Sequence, residues 1–207
     1  MNTAKAPVST EKPTVNKIIE AAIPLFATKG LAAVSVKELA DAAGVNIALI
    51  SYYFGGKENL YAFVLEKQLA ILENIIDNLS KEDISPVMKI RQFAAMAIVT
   101  HKENPYIDRL FFVEIFNPTK YFDSTVKIAA HRLHAFLQDC IKDAISKGDF
   151  RSDIQPEFAA ISLMKILHMT FSPQHVCSKL LPDPDKEDNA EQYAAQALEI
   201  YLHGVTK

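Results

Sequence analysis

The 207-residue sequence predicts an all-α protein of about nine helices. In each segment that is expected to be ordered, apolar residues recur every three or four positions, which is the spacing of an amphipathic helix. Capping residues, glycines and prolines fall between these segments, where they begin or end a helix. No segment alternates apolar and polar residues as a half-buried strand does, and none carries a hairpin turn signal.

The first two helices have recognisable ends. The first is expected to begin near Thr14 and to end at Gly30. Pro24 lies inside it and removes one backbone hydrogen bond, so we expect a kink there. The second begins with a capping box, in which the Ser35 hydroxyl and the Glu38 carboxylate each bind a free amide of the first turn.

The third helix lies between two glycine turns. Gly44 favours the left-handed conformation that ends the second helix, and the glycine pair at 55–56 ends the third. Asn46 is predicted to cap the third helix. Val45 and Ile50 have the spacing of a hydrophobic staple around that cap. These signals predict a helix of only two turns.

Six longer helices are expected to follow. Their predicted ranges are 57–79, 87–101, 105–116, 123–147, 156–169 and 190–203. The sequence therefore predicts a mobile tail at 1–13, a three-helix head at 14–60 and a larger helical bundle at 61–207.

The composition is that of an ordinary folded protein, with 49% hydrophobic residues, 23% charged residues and a net charge of -3. Any affinity for nucleic acid must therefore come from a local surface. No catalytic or cofactor motif occurs, and Cys140 and Cys177 lack metal-ligand spacing, so we expect neither an enzyme nor a cofactor. No apolar run reaches the roughly 18 residues that cross a bilayer, and no secretory signal is present. We therefore expect a cytoplasmic protein without a membrane partner.

Residues 36–53 carry the pattern of a helix-turn-helix unit. Ala40 is small and lets the two helices cross closely, Gly44 permits the tight turn, and Ile50 fixes the second helix across the first. Such a unit places its second helix in the major groove of DNA. The pattern therefore predicts that the head binds DNA.

Three segments of the head match a known family: IIEAAIPLFATKG at 18–30, VSVKELADAAGV at 34–45 and NIALISYYFGGKENLY at 46–61. They resemble the TetR family of transcriptional regulators. The turn KGDFRSDIQPEFAA at 147–160 resembles the same family. The segment RLFFVEIFNPTKYFD at 109–123 is similar to the branch that includes the cefoperazone and chloramphenicol sensitivity regulator.

The resemblance implies a DNA-binding transcriptional repressor that acts as a homodimer. Its two heads would lie in successive major grooves of a palindromic double-stranded operator, and a small-molecule effector in the larger domain would release the DNA. Two alternatives stay open. One is a helical-bundle enzyme that uses His131, His134 and Glu114 in metal or acid/base chemistry, and the other is a dimeric scaffold with a vestigial head.

The third helix supplies most of the expected DNA contacts. Ile50 and Phe54 are expected to face the core. The residues left for the DNA side are Asn46, Ile47, Ala48, Leu49, Ser51 and Tyr52. The family often has polar residues where Ile47, Leu49 and Ser51 stand, so apolar contact with thymine methyl groups becomes the expected readout. For Leu49, packing against the first helix is an equal alternative.

Two helix starts are expected to bind DNA phosphates. Ser35 and Lys37 begin the second helix and Lys57 begins the fourth, so their amides and side chains can hold phosphates. Ser35 can also act only as a cap, and Lys57 can be a solvated lysine.

The last two helices are expected to form the dimer interface. The predicted interface residues are Phe158, Ile161, Tyr193, Ala194, Ala197, Leu198 and Tyr201. The alternative for part of this set is packing within one subunit.

An aromatic cluster with a few polar groups is expected to form the effector site. The predicted ligand-binding residues are Arg109, Phe112, Glu114, Phe116, Tyr121, His131, His134 and His168. Most aromatic residues of such a cluster belong to the core in any helical bundle, so only part of this set is expected to contact a ligand.

Overall fold

The computed structural model describes residues 13–171 and 189–206. Within these residues the chain forms nine α-helices and one π-helical turn, so the predicted all-α fold is confirmed. The helices are α1 Pro13–Ala33, α2 Val36–Ala43, α3 Ala48–Phe54, α4 Lys57–Lys81, α5 Pro86–Glu103, α6 Ile107–Phe116, α7 Lys127–Lys147, α8 Pro156–Phe171 and α9 Asn189–Val205. The expected tail lies outside the described residues except for Pro13, and so does Cys177.

The first helix departs from helical backbone angles at Gly30, where φ is 73° and ψ is 169°. Pro24 lies inside α1 and keeps helical angles, so the break comes at the glycine rather than at the proline. A positive φ of this size is easily adopted only by glycine. One further turn, ending at Ala33, leads to α2.

Local capping chemistry sets the ends of α2. The Ser35 hydroxyl accepts a hydrogen bond from the Glu38 amide at 3.1 Å, as predicted. The reciprocal half of the capping box is wrong, because the Glu38 carboxylate pairs with Lys29 of α1 instead. Gly44 has a left-handed backbone and ends the helix by donating its amide to carbonyls of the last turn.

Asn46 begins the turn into α3. Its Oδ1 accepts a hydrogen bond from the Ala48 amide at 2.9 Å, and α3 begins at Ala48. Gly55 ends the helix in a left-handed conformation. Ile50 is fully buried and Val45 packs against the same core. The capping side chain and both glycine turns are therefore found as predicted.

Two later helices begin more than one residue away from their predicted starts. Pro105 lies in a turn, and α6 begins at Ile107. The segment predicted as the start of α7 is a π-helical turn at Phe122–Val126. An isolated antiparallel bridge between Phe150 and Thr206 joins the turn after α7 to the end of α9.

Two hydrophobic cores share the long helix α4. The head core contains residues of α1, α2 and α3 together with α4 as far as Leu69, and it also takes in Leu110 and Val126. The bundle core begins at Leu72 and joins the rest of α4 to α5, α7, α8 and α9. Cys140 lies in this second core, where burial raises the pKa of its thiol to about 11. Because α4 and α6 enter the head core, the head and the bundle pack against each other directly.

Candidate functional site

The outer face of α3 is exposed although its inner face is fixed. Ile50 and Phe54 are buried in the head core, whereas Tyr52 is 74% exposed and Ile47 is 49% exposed. The predicted DNA-side residues that are exposed are Asn46, Ile47, Ala48, Ser51 and Tyr52. This face of α3 and of the turn before it is therefore uncharged, and Ile47, Ala48 and the Tyr52 ring make much of it apolar.

Leu49 behaves differently from its neighbours. It is half-buried and packs against the head core, which favours the packing alternative over a contact with DNA. Tyr53 also packs against this core, and its ring meets the Tyr52 ring edge-on with centroids 5.0 Å apart. The inner tyrosine therefore supports the outer one.

The two predicted phosphate-binding helix starts are not equivalent. Ser35 and Lys37 are exposed at the start of α2. The Lys57 ammonium is half-buried and donates hydrogen bonds to the Leu31 carbonyl at 2.9 Å and the Val34 carbonyl at 2.8 Å. Lys57 is therefore neither a solvated lysine nor a free phosphate ligand. It binds two carbonyls at the junction of α1 and α2.

A cavity of about 670 Å³ lies in the bundle. Its lining residues are Phe111, Phe112, Ile115, Phe122, Val126, Lys127, Ala130, His131, His134, Ile161, Met164, Lys165 and His168. Four predicted ligand-binding residues line it: Phe112, His131, His134 and His168. Sequence reasoning missed both lysines, although the spacing of Lys127 and His131 places them on one face of α7.

Three predicted ligand-binding residues lie elsewhere. Arg109 has its guanidinium over the Tyr106 ring, 5.9 Å from the centroid. Phe116 is 75% exposed. Tyr121 packs against the head core. Residue type and position in this segment therefore did not predict the direction in which these three side chains point.

Glu114 is also absent from the cavity, and it is fully buried. Its Oε1 accepts a hydrogen bond from the Tyr61 hydroxyl at 2.6 Å, and its Oε2 accepts from the Thr119 amide and hydroxyl. Burial, followed by this hydrogen bond and the Glu114 charge, raises the pKa of Tyr61. Because Glu114 is held here, it does not join His131 and His134. In the described ranges, no three His, Cys, Asp or Glu side chains could hold a metal ion.

A buried carboxylate that the sequence did not reveal lies behind the cavity. Asp108 Oδ1 is 3.0 Å from His168 Nδ1, and Oδ2 is 2.8 Å from His101 Nε2, although the second contact departs from linear hydrogen-bond geometry. The other ring nitrogen of His101 is 2.6 Å from the Ala97 carbonyl. Both nitrogens of His101 thus face oxygen acceptors, which suits the imidazolium form. The ring of His168 stacks on Phe111 with centroids 4.9 Å apart.

These contacts shift two pKa values in opposite directions. Burial alone would lower the pKa of His101, but the hydrogen bond and charge of Asp108 outweigh it and raise the pKa. Burial alone would raise the pKa of Asp108, but the two histidines outweigh it and lower the pKa. The raised histidine contributes stability below its unfolded pKa and loses it as the pH rises through its folded pKa. The lowered carboxyl loses its contribution as the pH falls through its own folded pKa.

The predicted dimer residues divide between two faces. Phe158, Ile161 and Tyr193 are 64%, 42% and 50% exposed. Ala194 and Leu198 are buried within the subunit, which corrects their assignment to the dimer interface.

The other two predicted interface residues of α9, Ala197 and Tyr201, also lie partly inside the subunit. Ala197 is half-buried, and the Tyr201 hydroxyl donates to the Ala159 carbonyl at 2.9 Å. Sequence reasoning missed Ile200, which is 74% exposed on the outer face of α9. In the sequence, apolar residues that pack within the subunit thus have the same helical spacing as residues that pack against a partner subunit.

Comparison with known proteins identifies the family. Residues 18–64 match the family described as "Bacterial regulatory proteins, tetR family", and residues 86–200 match "Tetracyclin repressor-like, C-terminal domain". The chain belongs to the TetR family. This TetR-family protein is a DNA-binding transcriptional regulator, as the helix-turn-helix pattern predicted. The matched families do not name the sensitivity-regulator branch, so that assignment stays a prediction.

Relatives cover nearly the whole TetR-family chain. It is 44% identical over 197 residues to the Bacillus subtilis (strain 168) protein named "Probable HTH-type transcriptional regulator YttP", covering 93% of each. It is 24% identical to the "HTH-type transcriptional repressor NicS" of Pseudomonas putida, covering 81% of this chain and 80% of NicS.

Solved structures show the same fold. The structure of the ketosteroid transcriptional regulator KstR2 of Mycobacterium tuberculosis superposes with a TM-score of 0.79 and 18% identity, covering 98% of this TetR-family chain and 100% of KstR2. The TetR-family regulator PfmR from Thermus thermophilus gives a TM-score of 0.74 and 22% identity, covering 92% of this chain and 99% of PfmR. Across the described residues, no helix is long and apolar enough to span a membrane.

Proposed function

We propose that the protein is a homodimeric repressor that binds a palindromic operator through α3 and is released by a small molecule in the bundle cavity. The observation that carries the proposal is the exposed apolar face of α3, with Tyr52 at 74% and Ile47 at 49% exposure. A contiguous exposed apolar surface on a helix whose other face is anchored is typical of a site that contacts a partner. A regulator of this kind acts where the DNA lies, which is the cytoplasm of a bacterium.

The readout of the operator is apolar and shape-dependent. Ile47 and Ala48 are suited to thymine methyl groups, whereas the Asn46 side chain is already engaged as a cap. Tyr52 brings a hydroxyl that can reach a phosphate or a base edge. Because few donors point outward, the deformability of the operator contributes to specificity.

Phosphate contacts come from the start of α2. Ser35 and Lys37 are exposed at the start of α2, where helix amides and a lysine can bind a phosphate. Lys57 acts indirectly, since its two carbonyl contacts hold the junction of α1 and α2. We therefore expect few phosphate contacts from each head.

The homodimer uses the outer faces of α8 and α9. Phe158, Tyr193 and Ile200 are large apolar residues that remain exposed there. Burying them between two subunits would stabilise the dimer by the hydrophobic effect. Two recognition helices must lie about 34–36 Å apart to enter successive major grooves, and this contact sets their separation.

Helix α6 connects the cavity to the head. Phe111, Phe112 and Ile115 line the cavity. From the same helix Leu110 enters the head core and Glu114 binds Tyr61. A ligand that displaces α6 therefore changes the position of the head. A hundredfold loss of operator affinity corresponds to about 2.7 kcal/mol, which is within the ordinary range of allosteric coupling.

Selection from a random double-stranded DNA library tests the proposal. The purified full-length protein should enrich a palindrome whose half-sites lie about one helical turn apart. A scaffold with a vestigial head would enrich no sequence, and a monomeric reader would enrich a single half-site. Either result would reject the proposal.

A further inference from the structure

We propose that the cavity between α6, α7 and α8 takes an amphipathic organic anion, namely a long apolar chain that ends in a carboxylate. The inference rests on the proposed function, because it names the chemical class of the effector. The ligand is identified from the distribution of charge and apolar surface around the cavity.

One part of the cavity wall is hydrocarbon. Phe111, Phe112 and Ile115 come from α6, and Phe122 and Val126 come from the π-helical turn. The volume of about 670 Å³ falls within the roughly 300–1,000 Å³ typical of sites for small organic ligands. A surface of this kind gains free energy by removing a hydrocarbon chain or ring from water.

The part formed by α7 and α8 carries the basic groups. Lys127, His131 and His134 are spaced by four and three residues, so they form one row along α7. Lys165 and His168 form a second row on α8. Since α7 and α8 pack against each other, both rows face the same cavity. The lining residues include two lysines and no aspartate or glutamate, so the charged side chains among them are both positive.

Nearby carboxylates do not cancel this charge within the cavity. Asp108 is buried behind His168. Glu157 directs its side chain to a glutamine of α7. Asp123 pairs with Lys127 at 3.1 Å, but both side chains are more than half exposed, and exposed pairs of this kind contribute little. A cationic ligand would be repelled by the two lysines, whereas a neutral ligand would gain nothing from them.

Three ligands with the same hydrocarbon chain test the proposal: dodecanoate, dodecanol and dodecyltrimethylammonium. Dodecanoate and the ammonium compound are titrated into the full-length protein below their micelle concentrations, and dodecanol below its solubility limit, with binding followed by calorimetry. We expect dodecanoate to bind at least about tenfold more tightly than dodecanol, and the ammonium compound to bind most weakly. Equal affinity for the acid and the alcohol, or preference for the ammonium compound, would overturn the inference.

Substitutions in the cavity lining test where the carboxylate of the ligand binds. Lys127→Gln combined with Lys165→Gln should weaken dodecanoate binding about tenfold and leave dodecanol binding unchanged. Lys142→Gln is the matched control, because Lys142 is exposed on α7 outside the cavity. Ala130→Phe adds a ring to the cavity lining and should abolish binding of both. Equal weakening by the control, or full binding by the filled variant, would place the ligand elsewhere and refute the site.

Failure of this inference is distinguishable from failure of the proposed function. The titrations are made without DNA, and the operator selection is made without ligand. Dodecanoate binding together with no enriched palindrome would reject the repressor and keep the ligand class. An enriched palindrome together with no preference for dodecanoate would reject the ligand class alone.

Discussion

A hydrogen bond buried between α4 and α6 joins the head to the bundle. The Tyr61 hydroxyl donates to Glu114 Oε1 at 2.6 Å, and both residues are fully buried. The substitution Tyr61→Phe keeps the ring, which contacts Phe26 edge-on and lies near Tyr121, but removes the donor. Among the described residues, the carboxyl group of Glu114 then retains only Thr119 as a hydrogen-bond donor.

The expected loss of unfolding free energy follows from the type of acceptor, a carboxyl group. Hydrogen bonds to charged groups contribute roughly 1.5–3 kcal/mol, and Glu114 is fully buried, away from bulk solvent. For a chain of this size each kcal/mol shifts the melting temperature by roughly 2–4 °C, so Tyr61→Phe should lower it by roughly 3–12 °C. The packing of the ring is retained, so the loss measures the hydrogen bond.

Thermal and urea unfolding followed by circular dichroism provide the assay. Protein concentration must be equal in all samples, because the proposed dimerisation would shift the apparent stability. Tyr201→Phe is the matched control, since the Tyr201 hydroxyl donates to the neutral Ala159 carbonyl and its loss should cost roughly 0.5–1.5 kcal/mol. If Tyr61→Phe destabilises the protein no more than Tyr201→Phe does, the buried carboxyl group does not depend on this donor and the reasoning is refuted.

Four other experiments test separate parts of the structure. Tyr52→Ala should weaken operator binding by roughly 1–3 kcal/mol in a gel-shift titration while leaving the urea unfolding midpoint unchanged, and an unaltered affinity would remove Tyr52 from the interface. The parent protein should lose unfolding free energy as the pH rises above about 6.5, because Asp108 raises the pKa of the buried histidine on α5. Asp108→Asn should abolish this loss, since a neutral amide cannot raise that pKa. Equal slopes of unfolding free energy against pH for the two proteins, measured by urea unfolding between about pH 6.5 and 8, would contradict this. Phe158→Glu should shift the sedimentation of the protein from dimer toward monomer without loss of helicity, and an unshifted dimer would exclude this face. Lys57→Met should lower the unfolding free energy by roughly 1–3 kcal/mol. Lys37→Met should weaken DNA binding and reduce its salt dependence without lowering the unfolding free energy, and the reverse pattern would exchange their roles.

The ends of the head helices could be predicted because they depend on local chemistry. A hydroxyl at Ser35, an amide at Asn46 and left-handed backbones at Gly44 and Gly55 act within two to four residues of themselves. The exposed side of α3 followed as well, since burial of Ile50 fixes which residues face outward. Such short-range interactions are the same in any tertiary context.

The roles of Glu114 and Lys57 could not be predicted in this way. Glu114 stands in an aromatic segment that is typical of a ligand site, but its hydrogen-bond partner Tyr61 lies 53 residues earlier. Lys57 stands where a phosphate ligand is expected, but its acceptors belong to residues 23 and 26 positions away. The same holds for Asp108, whose histidine partner on α8 is 60 residues distant.

The sequence by itself determined the all-α class, the helix-turn-helix head, the family and the outward face of α3. Only the tertiary structure decided which side chains line the cavity, which carboxyl group joins α6 to the head, and which part of α9 faces its own subunit. The physical reason is the range of the interactions. Caps and helix periodicity act within one or two turns, whereas the direction of a buried polar group is set by partners that the chain brings together only when it folds.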